Sequence, residues 1–212
     1  MALRSSLWAV FVMGVLALIG FIAWEQEYQY TLPTPKPVHL KDIRLGDKVD
    51  LSFLPGRTIP KNTYIHFYNF ECPCSRFNIK EFQSIVRQYS GQVNFIAVLQ
   101  AGEENPGVLQ RFEEKYGLGI KTILDKSGEI AHALGVYSTP QVVILKSDTI
   151  FYKGNYNRAR FCLSKNTKFA ELALTALLSN KTLPDFPAVA GIAYGCELPS
   201  NSPSRNRFFN IF

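Results

Sequence analysis

Cys72 and Cys74, separated only by Pro73, lie in the run Phe70-Glu71-Cys72-Pro73-Cys74-Ser75-Arg76-Phe77. Upstream, residues 62–70 are aromatic and apolar without a breaker, which predicts a buried strand. Downstream, Phe82, Ile85, Val86 and Tyr89 recur at helical spacing. The cysteines are therefore expected at a helix N-terminus, where unpaired backbone N–H groups and the positive end of the helix dipole favour a thiolate over a thiol. Glu71 opposes that preference, whereas Arg76 and Lys80 support it. The chemistry such a thiolate suggests is thiol–disulfide exchange. The plainer alternative is a pair that is inert or simply oxidised.

Cys162 and Cys196 complete the four cysteines of the chain. A structural disulfide between them would pin the C-terminal extension, as is common in exported proteins. Alternatively, one of them is a relay or resolving partner, needed if Cys72 and Cys74 cannot close a ring. Four cysteines permit three complete pairings, and the connectivity stays open at this level. Soft thiolates also select copper or zinc, so a metal-binding protein is a rival reading. Of the three histidines, His66 lies on the strand leading to the cysteines, His39 in the N-terminal tether and His132 on a short helix. Burial on a strand makes His66 a packed core histidine, and none of the three stands at ligand spacing from the cysteines. No residue is assigned as a metal ligand, and exchange chemistry needs no cofactor.

The elements that must position these sulfurs follow from the apolar pattern. Residues 92–99 read as a second buried strand, and Pro106 as a helix start followed by the apolar face Val108, Leu109, Phe112 and Tyr116, with Gly117 as its stop. A short strand at 120–124, a turn at Asp125-Lys126-Ser127-Gly128 and a short helix at 129–134 closed by Gly135 come next. Strands at 141–145 and 149–153 are separated by Lys146-Ser147-Asp148. Phe169, Leu172, Ala173, Ala176 and Leu177 form the apolar stripe of a last helix. Ahead of all these, residues 44–54 suggest a strand or hairpin turned by Pro55-Gly56. The order predicts an α/β sandwich whose mixed sheet has parallel strands joined by helical crossovers and an antiparallel hairpin at its edge.

Residues 7–24 carry no charge over eighteen positions, enough as a helix to cross a bilayer core. Arg4 precedes the run and Glu25 and Glu27 follow it, so residues 1–6 are expected in the cytoplasm and the rest of the chain outside. The run is longer than a usual signal-peptide core, and Trp24-Glu25-Gln26 offers no small-x-small cleavage site, so an uncleaved single-pass anchor is expected. Pro33, Pro35 and Pro37 make residues 25–40 an extended tether. The globular domain is assigned to 41–180. An irregular extension follows at 181–212, rich in proline, serine and asparagine and ending in Phe208, Phe209, Ile211 and Phe212, which are expected to dock on the domain. At 212 residues one domain is expected. The net charge of +6 comes without a Lys/Arg block, which argues against a nucleic-acid partner.

With these pieces in order, the stretch from Tyr68 to Arg76, the turn Leu124-Asp125-Lys126-Ser127-Gly128-Glu129 and the run Gly135-Val136-Tyr137-Ser138-Thr139-Pro140 resemble the thioredoxin fold. The nearest likeness is to membrane-anchored, extracytoplasmic thiol–disulfide oxidoreductases of the TlpA/ResA type. The resemblance implies a thioredoxin-like three-layer sandwich, protein thiol or disulfide substrates with a separate redox partner, and an inner-membrane location with a periplasmic domain. It places Cys72 on the nucleophile and Cys74 on a resolving thiol one position closer than in the family's Cys-x-x-Cys. A ring so shortened is strained, which makes a disulfide easier to reduce. It also places Thr139-Pro140 where the fold has a cis-proline facing the nucleophile, with the Thr139 backbone open to an extended substrate segment. Peroxiredoxins share the fold and a Cys-Pro helix start, so a thiol peroxidase is a further rival. They carry Thr three residues before the cysteine and Pro four before that, whereas Asn69 and Ile65 stand at those positions here.

Overall fold

The structure is a computed structural model that describes residues 2–26, 28, 32–52, 62–101, 107–158 and 167–201. Five strands form its central sheet: β1 (Asn62–Tyr68), β2 (Asn94–Leu99), β3 (Lys121–Leu124), β5 (Gln141–Lys146) and β6 (Thr149–Gly154). Their order is β3-β2-β1-β5-β6. β1, β2 and β3 run parallel, which requires crossovers, and helices α2 (Pro73–Tyr89) and α3 (Val108–Tyr116) supply them. β5 and β6 are antiparallel and make the hairpin edge. A two-stranded ribbon pairs β4 (Ser138–Thr139) with β7 (Cys196–Glu197).

Alternation along the strands divides the core in two. Tyr64, Tyr68, Phe95, Leu99, Val142 and Ile144 point to one face, where they pack with Phe82 and Ile85 of α2, Phe112 of α3 and Phe169 and Leu174 of α5 (Phe169–Leu178). Ile65, Phe67, Ile96, Val98, Val143 and Leu145 point to the other, against Ile130 of α4 (Glu129–Ala133), Leu134, Ile43, Val49 and Leu51. Helical material on both faces of a mixed sheet gives the thioredoxin-like sandwich expected.

Three segments differ from expectation or extend it. The described part of 44–54 is irregular and meets the sheet through an isolated bridge between Lys48 and Thr149. A turn at Gly46, whose φ of +87° suits glycine, breaks the alternation there, so Leu45 is exposed while Val49 and Leu51 are buried. Phe53, Pro55, Gly56 and Pro106 lie outside the described residues. The proline-rich stretch before the domain makes contacts with the C-terminal part: Pro33 bridges Tyr194, and the Thr34 N–H donates to the Ala193 carbonyl at 2.8 Å. Helix α1 (Ala2–Gln26) includes Arg4–Glu25, a span long and apolar enough to cross a membrane and not buried against the rest of the molecule.

The C-terminal extension, described through residue 201, is fastened across the end of β6. Asn155 donates its N–H to Ala190 O at 2.8 Å and its Nδ2 to Val189 O at 2.8 Å and Ile192 O at 2.6 Å. Ala190 and Ala193 are buried as a result. The terminal aromatics lie outside the described residues.

Candidate active site

Helix α2 begins where the chain leaves the C-terminal end of β1. Asn69 makes the turn: its Oδ1 accepts the Glu71 N–H at 2.8 Å, and its own N–H donates to Ser75 Oγ at 3.4 Å. Cys72 occupies the N-cap with extended backbone, Pro73 is the first helical residue, and no acidic residue stands in the first turn. The Cys72 carbonyl accepts the first helical hydrogen bond from the Arg76 N–H at 3.2 Å. The sulfur thus stands at the start of a 17-residue helix, the position that stabilises a thiolate once the sulfur is reduced. Arg76 does not face it, since its guanidinium donates to Phe70 O at 2.9 Å. Phe70 is buried among Tyr68, Phe112 and Tyr116, with the Arg111 guanidinium 4.3 Å from its ring centre, and this aromatic block fixes the turn from behind.

Cys72 is bonded to Cys196, across 124 positions of sequence and a Cα–Cα distance of 5.7 Å. A Cys72–Cys74 ring is not formed, so the strain of a shortened ring does not arise; of the pairings left open by the sequence, the structure contains one in which a late cysteine partners Cys72. Cys74 is buried in that turn, and its carbonyl accepts from Asn78 Nδ2 at 3.1 Å. The Cys162–Cys196 pairing is likewise not what the structure contains, because Cys196 is engaged by Cys72; Cys162 lies outside the described residues.

Cys196 reaches Cys72 because β7 lies antiparallel along β4, with Thr139 opposite Cys196 and Ser138 opposite Glu197. The Thr139–Pro140 bond is cis, and the Thr139 carbonyl oxygen lies 3.2 Å from Cys72 Sγ. In the disulfide that sulfur has no hydrogen, so the contact becomes a hydrogen bond only when Cys72 is reduced to the thiol. The backbone edge offered by Thr139 is thus occupied by the chain's own C-terminal arm. Thr34 closes the other side, with Oγ1 3.1 Å from Ser138 Oγ and 3.4 Å from Gly195 O. Under this cover Cys72 is 1% exposed, while Cys196 is half-buried.

A second turn supports the ribbon. The buried carboxylate of Asp125 accepts N–H groups of Ile130 (3.2 Å) and Ala131 (2.9 Å) at the start of α4, and Gln100 Nε2 at 2.8 Å. This is what the Asp125-Lys126-Ser127-Gly128 turn does: it aims α4 and the 135–140 segment at the site.

The histidines lie elsewhere. His66 is fully buried, its Nδ1 2.7 Å from Tyr156 OH and its ring stacked on Phe82 at 4.2 Å, and burial pushes its pKa down to about 3. His132 is exposed, with Nε2 3.3 Å from His39 O. Among the described residues no group of three His, Cys, Asp or Glu side chains is placed to hold a metal. Asn69 and Ile65, which stand where peroxiredoxins carry Thr and Pro, serve the turn before α2 and the core.

Sequence reasoning missed Thr34, Ser138 and Leu198, and did not connect Gly195 to the site. The available signal was the alternation in Gly195-Cys196-Glu197-Leu198, which reads as a short strand once a partner edge is supplied.

Comparison with known proteins agrees with this architecture. Thiol-disulfide oxidoreductase ResA of Halalkalibacterium halodurans is 26% identical over 106 residues, which are 50% of this chain and 57% of ResA. The chain thus matches little more than half of that relative's length. Two solved structures share the fold: a hypothetical protein of Sinorhizobium meliloti (TM-score 0.62, 19% identity, 75% of this chain and 96% of that one) and an uncharacterised conserved protein of Geobacillus kaustophilus (TM-score 0.61, 21% identity, 79% and 97%). A family model matches residues 46–197, a span that takes in the α2 cysteines, Thr139-Pro140 and Cys196. With most of its length so matched, this chain of thioredoxin-like fold belongs to the family described as Domain of unknown function (DUF6436).

Proposed function

We propose that the chain is a membrane-anchored, extracytoplasmic thiol–disulfide oxidoreductase whose working pair is Cys72 and Cys196, held in the inner membrane by α1 with the sandwich on the periplasmic side. The observation that carries this reading is the Cys72–Cys196 bond at a helix N-terminus beside the Thr139 backbone edge. The match to ResA supports the reaction class, and the apolar span of α1 supports the location. Thr139 and Pro140 form the substrate-binding edge.

The burial of the two cysteines suggests an order of events. A thiolate of a redox-partner dithiol attacks Sγ of Cys196, the less buried residue of the pair, the Cys72–Cys196 bond breaks, and Cys72 leaves as a thiolate stabilised by the helix start. The partner's second thiolate then displaces Cys196, leaving the partner as a disulfide and Cys196 as a thiol. Cys72 next attacks a client disulfide, one client sulfur leaving as thiolate. Cys196 attacks the Cys72 sulfur of that mixed disulfide, the second client thiolate leaves, and the resting disulfide is restored. Two electrons pass from partner to client, and every step runs in reverse when the potentials are reversed. Cys74 stays in the first turn of α2 as part of the wall.

The test is turnover of insulin or a model peptide disulfide by the full chain in detergent. Cys72→Ser is expected to reduce it to the uncatalysed background; turnover retained by this variant would contradict the assignment.

A further inference from the structure

On the exchange reading above, the arm lying on β4 is an internal stand-in for the client, and its contacts state what the groove accepts. We infer that the groove selects extended client segments with glycine immediately before the reactive cysteine and an aliphatic residue two positions after it.

Three contacts carry this. The pairing of Thr139 with Cys196 and of Ser138 with Glu197 is through main chain and is indifferent to side chains. Gly195, by contrast, has no room for a substituent: a Cβ there would run into the Thr139 carbonyl oxygen and lie 3.1 Å from the Thr139 carbonyl carbon. Thr139 is fully buried and cannot draw back, and the φ of +135° at Gly195 is one that other residues rarely adopt. The obstacle is backbone, so it applies to any chain that brings a cysteine to Cys72 in this register.

Two residues beyond the cysteine, Leu198 is 1% exposed and belongs to the core cluster of Ile43, Ile130, Leu134 and Val136. Its N–H donates to Tyr137 O at 3.4 Å, which keeps the chain extended to that point. Between them Glu197 is exposed, so that position is unselective. A client taking the place of the arm must fill the Leu198 position or leave apolar surface uncovered.

The experiment uses the full chain in detergent as the Cys196→Ser variant, whose arm is no longer covalently closed. Peptides of sequence Tyr-Gly-Cys-Glu-Leu are supplied as thionitrobenzoate mixed disulfides. The Cys72 thiolate attacks the peptide sulfur, a Cys72–peptide disulfide forms, and thionitrobenzoate leaves with the electron pair. Release is followed optically and the adduct is assigned to Cys72 by mass spectrometry.

Replacing the peptide glycine with alanine, or its leucine with aspartate, is expected to slow adduct formation by about tenfold or more, whereas glutamine for glutamate leaves it within about twofold. Equal rates across the panel would overturn the inference. Cys196→Ser combined with Leu198→Asp, whose arm has lost its anchor, must give the same ranking at higher rates; loss of the ranking there would also overturn it. Ellman's reagent separates the two levels. A Cys72 that reacts with it yet ignores peptide sequence refutes the selectivity alone, and a Cys72 inert to both refutes the exchange reading and the selectivity with it.

Discussion

Cys72 and Cys196 share one bond but are held by unlike regions of the molecule. Cys72 is set by a strand, an Asn69 turn and a 17-residue helix, each backed by the aromatic block and by the core on the α2 face. Cys196 is set by a two-residue strand on an otherwise irregular arm, held by the β4 edge, by Leu198 and, further back, by the amide of Asn155. One end is set by long regular elements, and the other by an arm held through a two-residue pairing, one buried leucine and isolated hydrogen bonds. That inequality suits a redox pair: the sulfur that must stay acidic sits at a helix start, and the sulfur that must come and go rides on a segment without long regular structure.

The comparison breaks most visibly at the sulfurs. Cys196→Ser is expected to lower client turnover by about tenfold or more and to leave the client attached to Cys72, because the helix end still attacks while the arm cannot resolve. Cys74→Ser in the same assay is expected to stay within about twofold. If Cys74→Ser proves the more damaging, the resolving role returns to the helix and the inequality is false.

A smaller effect sharpens the arm side. Asn155→Ala removes two hydrogen bonds to the Val189 and Ile192 carbonyls, at a cost of about 3 kcal/mol if both are left unsatisfied. Denaturant unfolding of the oxidised chain measures that loss. The account also requires the disulfide to become easier to reduce while Cys72, once reduced, keeps its reactivity toward Ellman's reagent; slower reaction of Cys72 would show that the two ends are not independent.

A further effect probes the helix end through pH. Burial holds His66, on β1 ahead of the site, at about 3, against 6.5 when unfolded. Above pH 6.5 neither state is protonated there and the native chain has its full stability. As pH falls below 6.5 the unfolded chain gains a proton that the folded chain refuses, so stability declines by about 1.4 kcal/mol per pH unit down to about pH 3. His66→Phe is expected to remove about one proton's worth of that slope. An unchanged slope in urea titrations between pH 4 and 6 would show that His66 is not held neutral.

The same inequality explains what could be read from the sequence. The strand–turn–helix around Cys72, the crossovers and the hairpin edge depend on local periodicity and short turns and are legible in the order of residues, whereas the place of Thr139-Pro140 at the site follows from the resemblance to the thioredoxin fold. The irregular course of 41–52 was not, because Ile43, Val49 and Leu51 are apolar for the sake of the core they cover rather than for a strand of their own. Cys196 was visible as a cysteine, but its partner depended on how an arm without periodicity crosses Asn155 and Thr34 before it meets β4. Thr34 itself sits in a proline-rich stretch whose composition says only that it is extended.

The most direct test of the pairing is disulfide mapping of the full chain, trapped with alkylating reagent after equilibration across a series of glutathione or dithiothreitol potentials. A peptide containing Cys72 linked to one containing Cys196 is expected to be the species that disappears in a single two-electron transition. Recovery of a Cys72–Cys74 or Cys162–Cys196 linkage as the species that titrates would contradict it.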